Sequence, residues 1–465
     1  MIDGPRIRQR IAELRPKYQE QLAALVGVPS VSMDPDRRPQ MATCAALAAD
    51  LLRDAGARVD VVPTGGFPVL LGRFQRDPAL PTVTIYNHLD VQPADGPGWN
   101  TPPFTLTPDA TGDRWFARGA TDDKGPALAA FYGARLAIEL GVQANIQFLW
   151  ELEEEIGSPH FEAGLAAAVA GDAAAGRLPF RTDVVAVSDT IWTAAGQPSI
   201  SYGLRGLMGF TIGLQTGAKD VHSGTTGGVA RNPIGELAAL VGELYDARTG
   251  RVKVPGFYDD VRRVTAAERK AFARARFSRR RFAAAHELSS LRPVRDDVSA
   301  FIALTAAPTL EVHGLVGGYS GPGIKTIVPH HAEAKLSTRL VPDQKPAQIF
   351  RLIKQFVKTR LPDAVVKHEA SLAPYLAELG GPDNEAAAAA MHATFGKHPA
   401  FVREGGSIGA VLTMRRVLKV PIIFMGLSLP EHGYHAVNEN YDWGQAAGGM
   451  EMFCRYFNKI ADMRR

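Results

Sequence analysis

The order of hydrophobic and polar residues predicts alternating strands and helices in the two outer parts of the chain. Short apolar runs are typical of buried strands, whereas longer stretches with a helical period are typical of helices. Helices are predicted at 43–55 and 125–140, and strands at 58–62, 69–74, 82–86, 146–152 and 183–187. The same style returns near the C-terminus, with strands at 400–403 and 420–425 and a helix at 442–460. Such alternation is typical of an open α/β sheet, and we expect the two outer parts to form it together.

The pattern changes in the middle of the chain, between residues 204 and 374. Stretches of alternating polarity at 209–214 and 332–340 predict half-buried strands, which are separated by a predicted helix at 233–246 and by a basic segment. These features are typical of an α+β domain with an antiparallel sheet. We therefore expect an α/β domain with a mostly parallel central sheet and helices on both faces, interrupted by an inserted α+β domain. The expected boundaries are 1–203 and 379–465 for the first domain and 204–378 for the insert.

Length, apolar content and cysteine count narrow the class of protein. A chain of 465 residues implies two or three domains, and its hydrophobic fraction of 46% is ordinary for a globular protein. No run of about 18 apolar residues predicts a membrane span, and the charged N-terminal segment lacks the apolar block of a secretory signal. Only Cys44 and Cys454 are present, so no disulfide framework is expected. We expect a cytoplasmic protein without a membrane partner.

The net charge of +4 at pH 7 belongs to one segment of the chain. Residues 262–281 contain nine lysines and arginines against one acid, Glu268, so the remainder of the chain carries a net negative charge. No nucleic-acid recognition motif accompanies this segment. We therefore interpret it as a solvated helix and expect no nucleic-acid partner.

Acidic residues and histidines recur at the ends of the predicted strands of the α/β domain. They are His88, Asp90, Asp122, Asp123, the run Glu153-Glu154-Glu155, Asp189 and His435. In open α/β sheets, ligands bind outside the carboxyl ends of the strands, where these side chains converge. Nitrogen and carboxylate ligands in this mixture suit two zinc-like ions, with a carboxylate left over as a base. The sequence therefore predicts a metallohydrolase.

Each of these features also has an interpretation without a metal. A lone His-x-Asp pair is more often a surface pair, and Asp122-Asp123 before a helix could cap its N-terminus. Three consecutive glutamates are usually a solvated face, Asp189 could belong to a turn, and His435 could belong to a loop. Four separate strands that deliver metal-type ligands to one edge favour the metal site over these alternatives.

Nine stretches that carry these residues resemble, in order, a family of metallopeptidases. They are 86–92 (YNHLDVQ), 118–126 (RGATDDKGP), 154–158 (EEIGS), 187–189 (VSD), 220–224 (DVHSG), 323–329 (GIKTIVP), 337–342 (STRLVP), 403–408 (REGGSI) and 433–439 (GYHAVNE). The chain resembles the zinc aminopeptidase-like family of dipeptidases, aminoacylases and deacylases. The likeness is greatest to the branch of cytosolic nonspecific dipeptidases and carnosinases.

The resemblance implies a role for each candidate in a site with two divalent metal ions. The residues implied to hold metal are His88 and Asp189 at one ion, Glu155 and His435 at the other, and Asp122 bridging the two. The carboxylate of Asp90 would fix the tautomer of His88, as partners of metal-bound histidines commonly do. Glu154 would be the general base. The family also implies a cis peptide bond between Asp122 and Asp123.

The run Glu153-Glu154-Glu155 contains an ambiguity of register. The family pattern places Gly and Ser two and three residues after the metal-binding glutamate, which Gly157 and Ser158 satisfy if Glu155 is the ligand. Glu154 is then the base and Glu153 is a bystander.

The resemblance further implies that the inserted domain is a lid and dimerisation domain that supplies substrate recognition. His222 and Thr326 would reach the active site of a partner subunit in a homodimer, where His222 stabilises the oxyanion. Arg339 would bind a substrate carboxylate, together with the turn that contains Gly406 and Ser407. Without the resemblance, His222 would be interpreted as a turn histidine, Arg339 as a surface cation and Ser407 as a helix cap.

The expected activity is hydrolysis of dipeptides, or of short peptides with a free C-terminal carboxylate, by metal-activated water with Glu154 as base. Zinc is the expected metal, and manganese or cobalt also suit a His/Asp/Glu site. Because metal-activated water needs no covalent nucleophile, serine and thiol mechanisms are not expected. Two alternatives stay open. One is deacylation of N-acyl amino acids by the same machinery, and the other is a non-catalytic binding protein, which would normally lack a ligand or the base.

Overall fold

A computed structural model describes residues 4–464 of the chain. Within these residues the backbone forms eighteen strands and thirteen helices. The strands are β1 (Arg58–Val62), β2 (Val69–Phe74), β3 (Thr82–His88), β4 (Thr107–Pro108), β5 (Arg114–Phe116), β6 (Asn145–Glu151), β7 (Val184–Val187), β8 (Ser199–Leu204), β9 (Gly206–Gln215), β10 (Val221–His222), β11 (Thr309–Gly317), β12 (Ile327–Val328), β13 (His331–Leu340), β14 (Val365–Leu372), β15 (Tyr375–Leu376), β16 (Ala400–Glu404), β17 (Ile422–Phe424) and β18 (Asn440–Asp442).

The helices vary from one turn to more than five turns in length. They are α1 (Gly4–Val26), α2 (Arg38–Asp54), α3 (Lys124–Glu139), α4 (Phe161–Ala170), α5 (Ser223–Thr226), α6 (Pro233–Leu244), α7 (Ala266–Arg274), α8 (Arg279–Ala285), α9 (Asp297–Thr305), α10 (Pro346–Arg360), α11 (Pro382–Phe395), α12 (Gly409–Leu418) and α13 (Trp443–Met463). No helix among residues 4–464 is both long enough and apolar enough to cross a membrane. Cys44 in α2 and Cys454 in α13 are free, buried thiols.

The central sheet has six strands in the spatial order β1-β2-β6-β3-β7-β17. β6, β3, β7 and β17 are parallel to one another, whereas β1 and β2 join antiparallel at one edge. Successive strand residues face opposite cores: Ile85 packs with residues of α3 and α13, and Tyr86 packs with residues of α4 and α12. Such strands are buried on both faces by helices. The expected α/β sheet is confirmed.

The middle of the chain forms a second, antiparallel sheet with the strand order β11-β13-β9-β14. β13 pairs with β9 along its whole length. Alternate residues of β13 are buried, and Leu336 belongs to a core that also contains Leu237 of α6 and Ile353 of α10. The expected antiparallel sheet is therefore confirmed, while the domain boundaries at 203/204 and 378/379 stay a prediction.

Two elements differ from the sequence expectations. The strand expected at 400–403 is β16, which pairs in parallel with β8 in a separate three-stranded sheet and does not join the central sheet. A short apolar run specifies a strand but not its partner, which tertiary packing decides. The basic segment forms two short helices, α7 and α8, instead of one. Arg276 adopts a left-handed conformation with φ of 54°, and Ser278 then begins the second helix as its N-cap.

Candidate metal centre

The strand ends of the central sheet bring acidic residues and histidines to one edge. β3 ends at His88, β6 is followed by a short 3-10 helix at Glu154–Ile156, and β7 is followed by Asp189. His435 comes after β17, just beyond a 3-10 helix at Pro430–His432. Because β3, β6, β7 and β17 are parallel, their carboxyl ends lie at the same edge, where α/β sheets bind ligands.

Three buried side chains, those of His88, Asp122 and Asp189, form the first ligand cluster. The Nε2 atom of His88 lies 2.9 Å from Oδ1 of Asp122 and 3.8 Å from Oδ2 of Asp189. The three ligand atoms lie within 4.8 Å of one another. One imidazole nitrogen and two carboxylate oxygens at this spacing are a suitable donor set for a divalent cation.

Asp122 also belongs to a second cluster, with Glu155 and His435. The Nε2 atom of His435 lies 3.0 Å from Oδ2 of Asp122 and 3.2 Å from Oε2 of Glu155. Asp122 thus presents one oxygen to each histidine, and a single carboxylate joins the two clusters. The structure therefore brings together all five residues that the sequence analysis proposed as metal ligands.

The contact between His88 and Asp90 differs in detail from the expectation. Nδ1 of His88 lies 3.0 Å from the backbone carbonyl oxygen of Asp90, whereas the nearer carboxylate oxygen of Asp90 is 3.5 Å away. The carboxylate accepts hydrogen bonds from the amides of Glu154 and Glu155, at 3.2 and 3.0 Å. Asp90 therefore directs the Nδ1 proton of His88 through its carbonyl, which leaves Nε2 for a metal, and it orients the two glutamates through its carboxylate.

The segment that carries Asp122 is held by the C-terminal part of the chain. The fully buried carboxylate of Glu439 accepts hydrogen bonds from three backbone amides of residues 119–122 and pairs with Arg118 at 2.7 Å. The peptide bond between Asp122 and Asp123 is cis, as the resemblance implied. Glu439, which was not a candidate site residue from the sequence, therefore orders the loop that carries Asp122.

The centre contains more buried carboxylates than its histidines neutralise. Burial and the charge of Asp122 raise the pKa of Asp189 to about 6. Burial and the neighbouring Asp189 and Glu155 raise the pKa of Glu154 well above its ordinary value. Burial alone would lower the pKa of His435, but its contacts with Asp122 and Glu155 raise it to about 11. Divalent cations would neutralise the excess negative charge of the buried carboxylates and would take the place of the protons on the histidines. The residues of the two clusters therefore fit two such ions.

The three consecutive glutamates lie in different environments. Glu155 belongs to the second cluster, whereas Glu154, in the part of the chain that the structure describes, lines the cleft without belonging to either cluster. The side chain of Glu153 makes contacts outside both clusters. Its carboxylate accepts a hydrogen bond from the amide of Phe67 at 3.0 Å and lies 3.0 Å from Nδ1 of His160. This arrangement supports the register with Glu155 as ligand and Glu154 as base.

The cleft has a volume of about 390 Å³ and continues from the two clusters to Arg339, Gly406 and Ser407. Nη1 of Arg339 donates to the hydroxyl of Ser407 at 2.9 Å, and that hydroxyl donates to the carbonyl of Arg205. Among the described residues, Arg339 has no carboxylate partner within ion-pair distance. Arg339, Gly406 and Ser407, which we call the carboxylate clamp, can therefore receive an anionic group.

Ser407 lies in the stretch 405–409, which reads Gly-Gly-Ser-Ile-Gly and matches the Gly-x-Ser-x-Gly pattern of serine hydrolases. A serine nucleophile needs a histidine base within hydrogen-bond distance. The hydroxyl of Ser407 instead contacts Arg339 and the backbone of Arg205, and no histidine among residues 4–464 hydrogen-bonds to it. The geometry does not indicate a serine mechanism.

His222 ends β10 and Thr326 immediately precedes β12, and the amide of Ser223 donates to the carbonyl of Thr326 at 3.0 Å. Both residues are exposed. Neither His222 nor Thr326 is among the described residues that line the cleft. In this conformation of a single chain, His222 and Thr326 therefore do not reach the cleft.

Tyr434 contacts the first cluster and Asn87 contacts Asp123 beside it, and neither was a candidate site residue from the sequence. The hydroxyl of Tyr434 donates to Oδ1 of Asp189 at 3.0 Å, and Nδ2 of Asn87 donates to Oδ2 of Asp123 at 2.7 Å. Both are immediate sequence neighbours of a histidine of the site, which is the signal that could have found them.

Comparison with known proteins agrees with this geometry. The family model for peptidase family M20/M25/M40 matches residues 84–459. The Cys-Gly metallodipeptidase dug1 of Schizosaccharomyces pombe is 30% identical, and the alignment covers 97% of each protein. The human Beta-Ala-His dipeptidase is 30% identical and covers 93% of this chain and 88% of its own length.

Solved structures give the same result for the fold. The crystal structure of human carnosine dipeptidase 1 superposes with a TM-score of 0.86 at 29% identity and covers 98% of each chain. The structure of the dipeptidase Dug1p of Saccharomyces cerevisiae also has a TM-score of 0.86, at 27% identity. These matches confirm the resemblance to the dipeptidase and carnosinase branch. The chain therefore belongs to peptidase family M20/M25/M40 and is a metallopeptidase that hydrolyses peptide bonds.

Proposed function

We propose that the chain is a di-metal dipeptidase that cleaves dipeptides, or short peptides with a free C-terminal carboxylate. The observation that carries the proposal is the carboxylate of Asp122, which joins two ligand clusters in a cleft that also contains the carboxylate clamp. The names of the relatives, a Cys-Gly metallodipeptidase and a Beta-Ala-His dipeptidase, support this substrate class.

His88, Asp122 and Asp189 would hold one ion, and Asp122, Glu155 and His435 the other. Zinc suits this mixture of imidazole and carboxylate ligands, and manganese or cobalt are alternatives. Bound divalent ions supply Lewis acidity, which polarises a scissile carbonyl and lowers the pKa of a water molecule.

Glu154 acts as the general base in this proposal. It lines the cleft together with Asp122, Asp189 and His435, and its amide donates to the carboxylate of Asp90, which fixes the backbone at this position. It takes the proton of the attacking water and passes it to the leaving amine, which lets one residue serve both halves of the reaction.

The inserted domain contributes through a homodimer in this proposal. Residues 1–203 and 379–465 form the catalytic domain, and residues 204–378 form a lid that places His222 and Thr326 in the cleft of a partner subunit. Nδ1 of His222 accepts a hydrogen bond from the amide of Gly224 at 2.8 Å, so the ring proton is on Nε2. That proton can be donated to the oxyanion of the transition state. The two buried free thiols fit a cytoplasmic location.

Hydrolysis of a dipeptide panel, compared with N-acetyl amino acids of the same C-terminal residue, tests the proposed function. The metal-free protein should be inactive, and addition of Zn²⁺ or Mn²⁺ should restore cleavage of the dipeptides with higher kcat/KM than for the N-acetyl substrates. Preference for the N-acetyl series would identify a deacylase of the same family. Absence of hydrolysis of either series by metal-loaded protein would contradict both activities.

Arg339→Ala should remove much of the binding energy of the substrate carboxylate. The loss in transition-state binding should be about 2–5 kcal/mol, and amidation of the C-terminus of the substrate should cost the wild-type enzyme a similar amount. Because both changes delete the same interaction, the two losses should not add. The measurement is kcat/KM for the four combinations of enzyme and substrate.

Lys335→Ala provides a matched control for Arg339→Ala. Lys335 is an exposed cation on the same strand, β13, and points to the same face because it is four residues away. Its removal should leave the ratio between free and amidated substrates unchanged. If the losses in transition-state binding caused by Arg339→Ala and by amidation of the substrate were fully additive, Arg339 would not be the residue that binds the substrate carboxylate.

A further inference from the structure

An aromatic wall lines the side of the cleft next to the carboxylate clamp. It consists of Phe277, Phe282 and Phe301, and it faces the same cavity as Glu154 and Asp189. Phe277 lies just before α8, Phe282 lies in α8, and Phe301 lies in α9. The basic segment, whose cations gave no indication of function, therefore contributes apolar rings to the cleft.

The three rings pack as one unit. The ring centroid of Phe277 lies 5.5 Å from that of Phe282 and 5.5 Å from that of Phe301. Phe301 is 5% exposed, whereas Phe277 and Phe282 are only half-buried and keep part of their surface open to the cleft. Aromatic surface that stays open inside a catalytic cleft is suited to an apolar ligand group.

Polar anchors hold the wall in place. Glu268 of α7 accepts a hydrogen bond from the hydroxyl of Tyr202 at 2.7 Å and pairs with Arg403, whose side chain is 2% exposed. Arg279 at the start of α8 pairs with Asp297 of α9 at 2.7 Å. These contacts tie α7 to β8 and β16, and α8 to α9. These polar contacts add to the packing of the rings in holding this part of the chain against the cleft.

The wall borders the carboxylate clamp on the side of α9. Leu304, one turn after Phe301, lies against the clamp loop, since a side-chain atom added at Gly405 would approach the Leu304 carbonyl to 2.8 Å. Arg205 bridges the same region by donating to the carbonyl of Gly405 at 3.0 Å. A residue whose carboxylate is bound by Arg339 would have its side chain in the same cavity that Phe277, Phe282 and Phe301 line.

We infer that the aromatic wall binds the side chain of the C-terminal residue of the substrate and selects large hydrophobic side chains there. The inference rests on the proposed function for the placement of the substrate carboxylate. It assigns a specificity role to the part of the basic segment that faces the cleft, while its exposed cations stay in solvent.

The test measures kcat/KM for Ala-Gly, Ala-Ala, Ala-Leu and Ala-Phe with the metal-loaded enzyme. The wild type should favour Ala-Leu and Ala-Phe over Ala-Gly by about 10–100-fold, the range that hydrophobic pockets provide.

The double variant Phe277→Ala, Phe282→Ala should lose about tenfold or more of its kcat/KM on Ala-Phe and less than about threefold on Ala-Gly. Phe282→Leu, which keeps an apolar side chain and is more certain to fold, should give an intermediate loss on Ala-Phe. Arg280→Ala, an exposed position of α8, is the matched control and should change none of the ratios.

The outcomes separate the wall from the proposed function. Wild-type enzyme that cleaves none of the dipeptides contradicts the proposed function itself. If Phe282→Leu cleaves Ala-Gly and its ratio of kcat/KM for Ala-Phe to that for Ala-Gly equals the wild-type ratio, the proposed role of the aromatic wall is contradicted. A shifted preference in the reverse series Gly-Ala, Leu-Ala and Phe-Ala, without a shift in the Ala-X series, overturns its assignment to the C-terminal residue.

Discussion

Glu154→Ala is expected to reduce turnover by about 10²–10⁴ or more while both metal ions stay bound. Glu154 lines the cleft and belongs to neither ligand cluster, so its removal deletes the proton acceptor but no ligand. Glu155→Ala should behave differently, because it deletes a member of the second cluster and should lose about one equivalent of metal. Elemental analysis of the purified variants and kcat with a dipeptide substrate measure the two effects.

The comparison between these two neighbours also decides the register. Melting temperatures of the metal-loaded variants show whether each protein is folded, so a low activity cannot be mistaken for unfolding. Loss of metal from Glu154→Ala, with full metal content in Glu155→Ala, would show that the base and the ligand are reversed.

The second large effect concerns the cooperation of two subunits. Glu154→Ala and His222→Ala homodimers should each be nearly inactive, since one lacks the base and the other lacks the oxyanion donor, a loss of about 10²–10³. In a heterodimer, both lesions fall in one site and the other site keeps an intact Glu154 and an intact His222. Random co-assembly gives half heterodimers with one good site of two, so activity should recover to about a quarter of the wild-type value.

Differently tagged chains purified in tandem isolate the heterodimer and make the recovery quantitative. Mixed dimers that contain both variants but show no recovered activity would mean that His222 acts within its own chain or has no catalytic role. Thr326→Ala paired with Glu154→Ala offers the same test for the other exposed residue.

Local patterns were sufficient to predict the six strands of the central sheet, because all of them except the edge strand β1 are buried on both faces and are rich in apolar residues. β1 and β2 begin and end where the sequence analysis placed them. The partner of β16 could not be predicted, since its apolar run is compatible with either sheet. The break between α7 and α8 depends on a left-handed Arg276, which no helix propensity indicates.

The candidate ligands could be found because histidines and carboxylates at strand ends are unusual and point to one edge. The contacts that hold them were harder to find. Glu439 contacts the loop of Asp122 from the other end of the sequence, and Tyr434 contacts Asp189 although a tyrosine carries no metal-ligand signal. Such supporting contacts depend on three-dimensional packing, which a single sequence does not display.

The pairing of Glu439 with the amides around Asp122 has a consequence for biosynthesis. During translation, the segments that carry His88, Asp122 and Asp189 are complete long before the ribosome reaches His435 and Glu439. A nascent chain that has folded its first half therefore still lacks one imidazole ligand and the carboxylate that orders the shared aspartate. At the proposed metal centre, loading in the final geometry therefore follows the synthesis of His435 and Glu439.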